Sequence, residues 1–164
     1  MRHIISMLLE NESGALARVA GLIAARGYNI ESLSVAPTDD PSVSRMTVVT
    51  AGEEAIIEQI TKQLNKLVDV IKLVDVTEGA HIERELMLVK IKTASAEARA
   101  EVHRLANVFR AQVVDITRST CVVEVTGSSG KLEAFVSALE PASVLEMLRS
   151  GPSAISRGSK SLRL

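Results

Sequence analysis

The sequence predicts an α+β protein of two domains, each with the element order βαββαβ. Strand-like and helix-like apolar periodicities follow one another in this order twice, before and after a polar junction at residues 77–84. Apolar residues make up 46% of the 164 residues and aromatic residues only 2%, so each core has to be aliphatic. A chain of this length can hold two small domains of this kind.

The first half contains four segments with the composition of strands, residues 2–10, 28–36, 44–51 and 68–76. A helix is predicted from Gly14 to Arg26, because Ser13 can cap its first turn and Gly27 suits the residue after its end. A second helix is predicted to begin at Glu53, with acidic residues early and lysines late, as the helix dipole favours.

The second half repeats this order with little residue identity. Its strands are predicted at residues 85–92, 112–117, 121–126 and 143–150, and its helices at 95–109 and 129–139. The predicted domains are residues 1–77 and 85–152, with a linker at 78–84. A basic, serine-rich tail at residues 153–164 is expected to be mobile.

A βαββαβ unit places both helices on one face of an antiparallel sheet and leaves the other face bare. In the first half that face would carry Leu8 or Leu33, depending on the register of the strands. Because an exposed apolar sheet needs cover, association with a second copy is expected through the faces or edges of the sheets.

Charge and cysteine content exclude several classes of function. The formal net charge of −1 gives no basic excess for binding nucleic acid. The single Cys121 excludes an intrachain disulfide framework and a multi-cysteine metal site, and its apolar surroundings predict a buried thiol. The first residues have no signal-peptide pattern and no apolar run could cross a membrane, so a cytoplasmic location without membrane contact is expected.

Several motifs of catalysis and cofactor binding are absent from the sequence, including the phosphate-binding loop, the dinucleotide glycine motif and the nucleophile elbow. RNA-recognition domains share the element order but stack bases on sheet aromatics, and copper carriers need a C-x-x-C loop. The histidines His3, His81 and His103 lack metal-ligand spacing. Asp39 and Asp40, flanked by prolines, are more typical of a turn than of a cation site. The class of function that remains after these exclusions is a module that senses a small molecule or binds a partner.

The loop between the first strand and the first helix is the most informative segment. Free N–H groups at a helix N-terminus attract a carboxylate, and Gly14 would let a ligand approach them. Asn11 or Asn29 could hold the other polar group of a zwitterion such as an amino acid. Leu16 and Ile30 could form an apolar wall. Alternatively, this loop serves only as a helix cap and a tight turn.

Longer runs of residues resemble a known family. The chain closely resembles the small, regulatory subunits of acetohydroxyacid (acetolactate) synthase at residues 8–16 (LLENESGAL), 26–33 (RGYNIESL), 35–39 (VAPTD), 63–70 (QLNKLVDV), 84–90 (RELMLVK), 127–132 (GSSGKL) and 156–158 (SRG). This resemblance extends over essentially the whole chain.

The resemblance implies that the first domain is an ACT domain, a ferredoxin-like amino-acid sensor that forms a homodimer, and that the second domain is also ferredoxin-like. Effector sites would lie at the dimer interface. The implied valine contacts are Asn11, Gly14, Ala15 and Leu16 from one chain, and Asn29 and Ile30 from its neighbour.

The resemblance also implies that this chain has no catalytic residues, metal or cofactor of its own. Thiamine diphosphate, magnesium and FAD would belong to a separate catalytic large subunit. That subunit condenses pyruvate with pyruvate or 2-oxobutyrate in branched-chain amino-acid biosynthesis. The small subunit would raise its activity and make it sensitive to valine.

Two other functions are considered beside this one. A free-standing ACT-type regulator would sense an amino acid and act on another target. A small hydrolase of the acylphosphatase type would need a loop arginine and an amide to hold an acyl phosphate. Asn11 and Arg18 fit that requirement poorly, because Arg18 is expected to point to solvent.

Overall fold

The predicted order of elements is present in both halves of the chain. The computed structural model describes residues 1–140 and 143–164. The elements are β1 (Arg2–Glu10), α1 (Ala15–Ala25), β2 (Ile30–Pro37), β3 (Val43–Ala51), α2 (Glu54–Leu64), β4 (Val70–Asp75), β5 (His81–Lys92), α3 (Ala96–Val108), β6 (Gln112–Ile116), β7 (Thr120–Gly127), α4 (Ser129–Ala138), β8 (Val144–Arg149) and β9 (Ser153–Ser156). The predicted α+β fold class, with two βαββαβ layouts, is confirmed.

The described residues form two compact units, Met1–Ile82 with Ser153–Leu164, and Glu83–Pro152. Strand β5 begins at His81, inside the segment predicted to be a linker. Within residues 1–140 and 143–164, no helix is both long and apolar enough to cross a membrane.

Glycines mark both ends of α1. Gly14 is the N-cap, with φ +90° and no side-chain hydrogen bond to the first turn, so the prediction of Ser13 as N-cap is wrong. After the helix, Gly27 has φ +75°. The N–H groups of Gly27 and Tyr28 donate to carbonyl oxygens of the last turn, at 3.0 and 3.4 Å. These two bonds form a Schellman motif, which explains the glycine predicted at this end.

The sheet of the first unit has the strand order β2-β3-β1-β4, with every pair antiparallel. Alternate residues of the central strands pack against α1 and α2 in one aliphatic core: Ile5, Met7, Leu9, Met46, Val48, Val19, Ile23, Ile57, Ile60 and Leu64. Leu33 packs on this core, whereas Leu8 lies between two core-facing residues of β1 and therefore faces the other side of the sheet.

The C-terminal segment Ser153–Leu164 lies against that other side of the first sheet. Arg45 Nη2 donates to the Ala154 carbonyl oxygen at 3.0 Å, and Lys72 Nζ donates to the Arg163 carbonyl oxygen at 3.1 Å. Ala154 is buried in a small cluster with Ile4, Val49 and Val76. The expected bare face is thus partly covered by the chain itself, and the prediction that this segment lies outside both domains is wrong.

The sheet of the second unit contains the strands in the order β6-β7-β5-β8. Its core includes Cys121, which is buried as predicted. Phe135 is fully buried and packs edge-to-face on Phe109, with ring centroids 5.4 Å apart. The Ser95 hydroxyl caps α3 by accepting a hydrogen bond from the Ala98 N–H at 3.1 Å.

Candidate functional site

The loop between β1 and α1 opens onto a surface cavity of about 240 Å³ in the first unit. Three predicted site residues, Asn11, Ala15 and Leu16, line this cavity. The remaining lining residues come from the end of β1, the loop, the end of β2 and the start of β3: Leu9, Glu10, Glu12, Val35, Ala36, Pro37 and Ser44. The cavity therefore joins the N-terminus of α1 to strand β2, an edge strand of the sheet.

The Asn11 side chain ties this loop to the turn between β2 and β3. Its Nδ2 donates to the Pro41 carbonyl oxygen at 2.8 Å, and its Oδ1 accepts from the Ser44 hydroxyl at 3.0 Å. Its backbone N–H donates to the Ser42 carbonyl oxygen at 2.7 Å. Since an amide nitrogen carries two hydrogens, one N–H of the side chain is left for a ligand. Asn11 thus shapes the cavity and keeps one donor.

The first turn of α1 presents free donors. The N–H groups of Leu16 and Ala17 have no acceptor in the part of the chain that the structure describes. Groups of this kind carry the positive end of the helix dipole and favour an anion. Leu16 itself is 42% exposed beside them, so an apolar side chain is available to a ligand held by these amides.

Gly14 lies directly against the guanidinium of Arg18. A Cβ placed on Gly14 would stand 2.8 Å from Arg18 Nη1. The Arg18 Nε and Nη2 atoms each donate to the Asp69 carboxylate at 2.6 Å, forming a bidentate ion pair. Arg18 is exposed, as expected, but the buried Asp69 carboxylate fixes its guanidinium beside the loop.

The Arg18–Asp69 pair holds the guanidinium in place beside the loop, and the Asp69 carboxylate balances its charge. The hydrogen bond from Arg18 lowers the pKa of Asp69, and the same bond raises the pKa of Arg18. Sequence reasoning missed this pair, since the two residues are 51 positions apart. The only signal was indirect: both residues lie in or beside runs that carry the family resemblance.

Acid should weaken the Arg18–Asp69 pair. Because the pKa of Asp69 is lowered in the folded chain, its stabilisation is complete above the ordinary aspartate pKa of about 3.9 and is lost as the pH falls through the lowered value. Asp69→Asn should therefore lower the melting temperature at pH 7 and lower it less at pH 3, in thermal denaturation at both pH values. Glu58→Gln, which removes an exposed pair with Lys62, should have little effect. An equal loss for Asp69→Asn at both pH values would contradict this account.

The other two predicted residues lie apart from this cavity. Asn29 precedes β2 with an exposed side chain, and its backbone carbonyl oxygen accepts a hydrogen bond from Thr50 Oγ1 at 2.8 Å. Ile30 is half-buried and packs on the core of the first unit. Neither residue lines the cavity at Asn11, so one chain does not bring the six residues together.

Asp40 and His3, which the sequence analysis considered as possible metal ligands, each contact another residue of the chain. The Asp40 carboxylate accepts hydrogen bonds from the Ser42 N–H and hydroxyl, at 2.9 and 2.6 Å, which lowers its pKa and closes a turn. His3 Nδ1 lies 2.9 Å from Asp75 Oδ2. Among residues 1–140 and 143–164, no group of three or more histidine, cysteine, aspartate or glutamate side chains is placed to hold a metal ion.

Family models match both halves of the chain. Residues 5–72 match a model described as an AHAS small subunit-like ACT domain, and residues 84–158 match one described as the small subunit of acetolactate synthase. The first unit is therefore an ACT-type βαββαβ domain, the class of fold that the sequence analysis expected.

Individual relatives resemble the chain over nearly its whole length. The acetolactate synthase isozyme 3 small subunit of Escherichia coli strain K12 is 56% identical over 164 residues, covering 99% of this chain and 100% of that one. The probable acetolactate synthase small subunit of Methanothermobacter thermautotrophicus is 45% identical over 160 residues, with 98% and 95% coverage. The crystal structure of the Thermotoga maritima acetolactate synthase small subunit superposes with a TM-score of 0.88 at 36% identity, covering 98% and 99%.

This chain belongs to the family of acetolactate synthase small subunits. The family that the seven short segments of the sequence indicated is therefore confirmed. Membership assigns the chain to the small, regulatory subunits and not to the catalytic chains of that enzyme.

Proposed function

We propose that this chain activates a separate catalytic large subunit of acetolactate synthase and makes it sensitive to feedback inhibition by L-valine. The family and the ACT fold support this proposal. The single observation that carries the ligand part is the first turn of α1, where the free N–H groups of Leu16 and Ala17 follow Gly14, which has φ +90° and no side chain, and where Leu16 lines the cavity. Such an arrangement suits a carboxylate, and Leu16 suits an aliphatic side chain.

The proposed effector site is completed by a second copy of the chain. Asn11, Gly14, Ala15 and Leu16 would come from one protomer, and Asn29 and Ile30 from its partner. Edge strand β2 begins at Ile30, directly after Asn29, and its other end forms one wall of the cavity, so pairing through this edge can bring both groups to one ligand. Valine would then bridge the protomers and favour the arrangement that fails to activate the catalytic subunit.

Thiamine diphosphate, magnesium and FAD are assigned to the catalytic partner in this proposal. The chemistry of pyruvate condensation would take place there, within the biosynthesis of valine, isoleucine and leucine. The small subunit would take no part in the reaction. It would act through binding alone, because L-valine would bind its non-activating arrangement more tightly than its activating one. A coupling free energy of about 1–3 kcal/mol is sufficient for a useful response.

A reconstitution experiment tests the two parts of this function. The purified chain should raise the acetolactate-forming activity of a purified catalytic large subunit, and L-valine should reverse that increase. Calorimetric titration of the chain alone with L-valine reports binding separately. Valine binding without any effect on the catalytic subunit would favour the alternative of a free-standing ACT-type regulator, whereas activation without valine sensitivity would refute the effector proposal.

Replacing Asn29 with alanine should weaken valine binding about tenfold, because the contribution of one polar contact from the partner protomer is lost. Calorimetry gives the affinity, and sedimentation should show an unchanged dimer. Asn65→Ala is a matched control, since Asn65 lies at the end of α2 and outside the proposed site. An unchanged valine affinity for Asn29→Ala would contradict a site shared between two chains.

A further inference from the structure

A second cavity, of about 420 Å³, lies on the face of the first sheet opposite α1 and α2. Its floor consists of alternate residues of the strands, among them Leu8, Ser34, Arg45 and Thr47. The C-terminal segment forms one wall through Ser153, Ala154 and Leu162. A cavity of this size is suited to a small molecule.

Arg45 is a half-buried cation on the floor of this cavity. Its Nε donates to the Ser6 hydroxyl at 3.1 Å, and its Nη2 donates to the Ala154 carbonyl oxygen at 3.0 Å. Both acceptors are neutral, and no carboxylate pairs with Arg45 within residues 1–140 and 143–164. Burial lowers the pKa of the guanidinium from its ordinary value. A partly desolvated charge of this kind gains from an anionic partner.

The cavity that contains this cation is also lined by hydroxyl groups that have no hydrogen-bond partner among the described residues. Ser34, Thr47 and Ser153 line the cavity, and their side chains have no hydrogen-bond partner in the described part of the chain. A guanidinium with hydroxyl donors matches the oxygens of a carboxylate. The exposed carboxylate of Asp39 also lines the cavity, and its repulsion disfavours a ligand with two negative charges.

We propose that this cavity binds the carboxylate of a small monocarboxylic acid, with Arg45 as the cationic contact and the hydroxyl groups of Ser34, Thr47 and Ser153 as additional donors. This site goes beyond the proposed effector function. It lies on the other face of the sheet from the α1 loop and needs only one chain. The two cavities share the lining residues Ala36 and Pro37, whereas Arg45 and the three hydroxyl groups line this one and not the cavity at Asn11.

Titration of the full-length, ¹⁵N-labelled chain with sodium acetate tests this site directly. The Arg45 Nε resonance and the backbone amides of Ser34 and Thr47 should shift to saturation, whereas Arg118 Nε should not shift. Sodium chloride at equal ionic strength should produce no saturable shift, and inorganic phosphate should bind more weakly than acetate. Absence of saturation, equal shifts with chloride, or saturable shifts confined to the α1 amides would overturn the proposal.

Two variants separate ligand binding from the structural role of Arg45. Arg45→Gln should weaken acetate binding at least about tenfold, because the charge-assisted contact is lost. Since Arg45 also holds the C-terminal segment, Asp39→Asn provides a test that leaves every contact of Arg45 in place. It should tighten acetate binding about twofold to threefold by removing a like charge from the cavity. Glu31→Gln, which removes an exposed charge outside the cavity, should leave the affinity unchanged, and no gain for Asp39→Asn would contradict the site.

Discussion

Replacing Gly14 with aspartate should abolish L-valine binding while the chain still activates the catalytic subunit. The new carboxylate would lie beside Arg18, because a Cβ at Gly14 already approaches the guanidinium to 2.8 Å. It would occupy the position proposed for the ligand carboxylate and repel it, which should weaken affinity at least about a hundredfold. Calorimetric titration with L-valine measures the loss, and the reconstituted activity shows whether activation persists.

Two controls separate charge from backbone strain in that experiment. Gly14→Ala adds a Cβ at φ +90° without charge, so it should destabilise the loop but retain part of the valine affinity. Gly21→Asp introduces the same carboxylate on an exposed position of α1 where a Cβ meets no neighbour, and it should bind valine normally. Valine inhibition that survives in Gly14→Asp would refute the proposed site, even if the controls behave as expected.

Replacing Phe135 with alanine should unfold the second unit under mild conditions. Phe135 is fully buried in its core, where its ring meets Phe109 edge-to-face. Truncation of a buried phenylalanine costs about 3–5 kcal/mol through lost burial and the cavity that remains. That is a large share of the stability of a small domain. Urea denaturation followed by circular dichroism measures the change.

Phe109→Ala is the matched comparison for that substitution. Phe109 is only partly buried, so its truncation should cost clearly less than that of Phe135. Equal costs for the two variants would contradict the packing described here. L-valine binding by the first unit is not expected to require the Phe135 ring, because the proposed contacts all lie in residues 11–30.

Much of the fold was predictable because its signals are local. Strand β1 was predicted at its observed bounds, and Gly27 ends α1 as expected, since a positive φ after a helix favours glycine. The wrong N-cap has a physical reason as well. Ser13 has the usual capping side chain, yet the backbone turns into α1 at Gly14 in a conformation that glycine adopts without strain.

The parts that could not be predicted depend on contacts between distant segments. The Arg18–Asp69 ion pair and the return of Ser153–Leu164 to the first sheet leave no periodic signal in the sequence. A serine-rich, basic composition is ordinary for a mobile tail, but here the backbone carbonyls of the segment are what Arg45 and Lys72 bind. Composition describes side chains, and therefore it does not report such contacts. The six valine contacts remain a prediction.

The return of the C-terminal segment has a consequence for the order of events during synthesis. The first unit is discontinuous in sequence, so residues 1–82 leave the ribosome well before residues 153–164. Until those last residues are made, the cluster formed by Ile4, Val49 and Val76 lacks the Ala154 side chain that packs on it. The nascent chain therefore passes through a stage in which this apolar patch is open to chaperones or to other chains, and it closes only after the whole second unit has been translated.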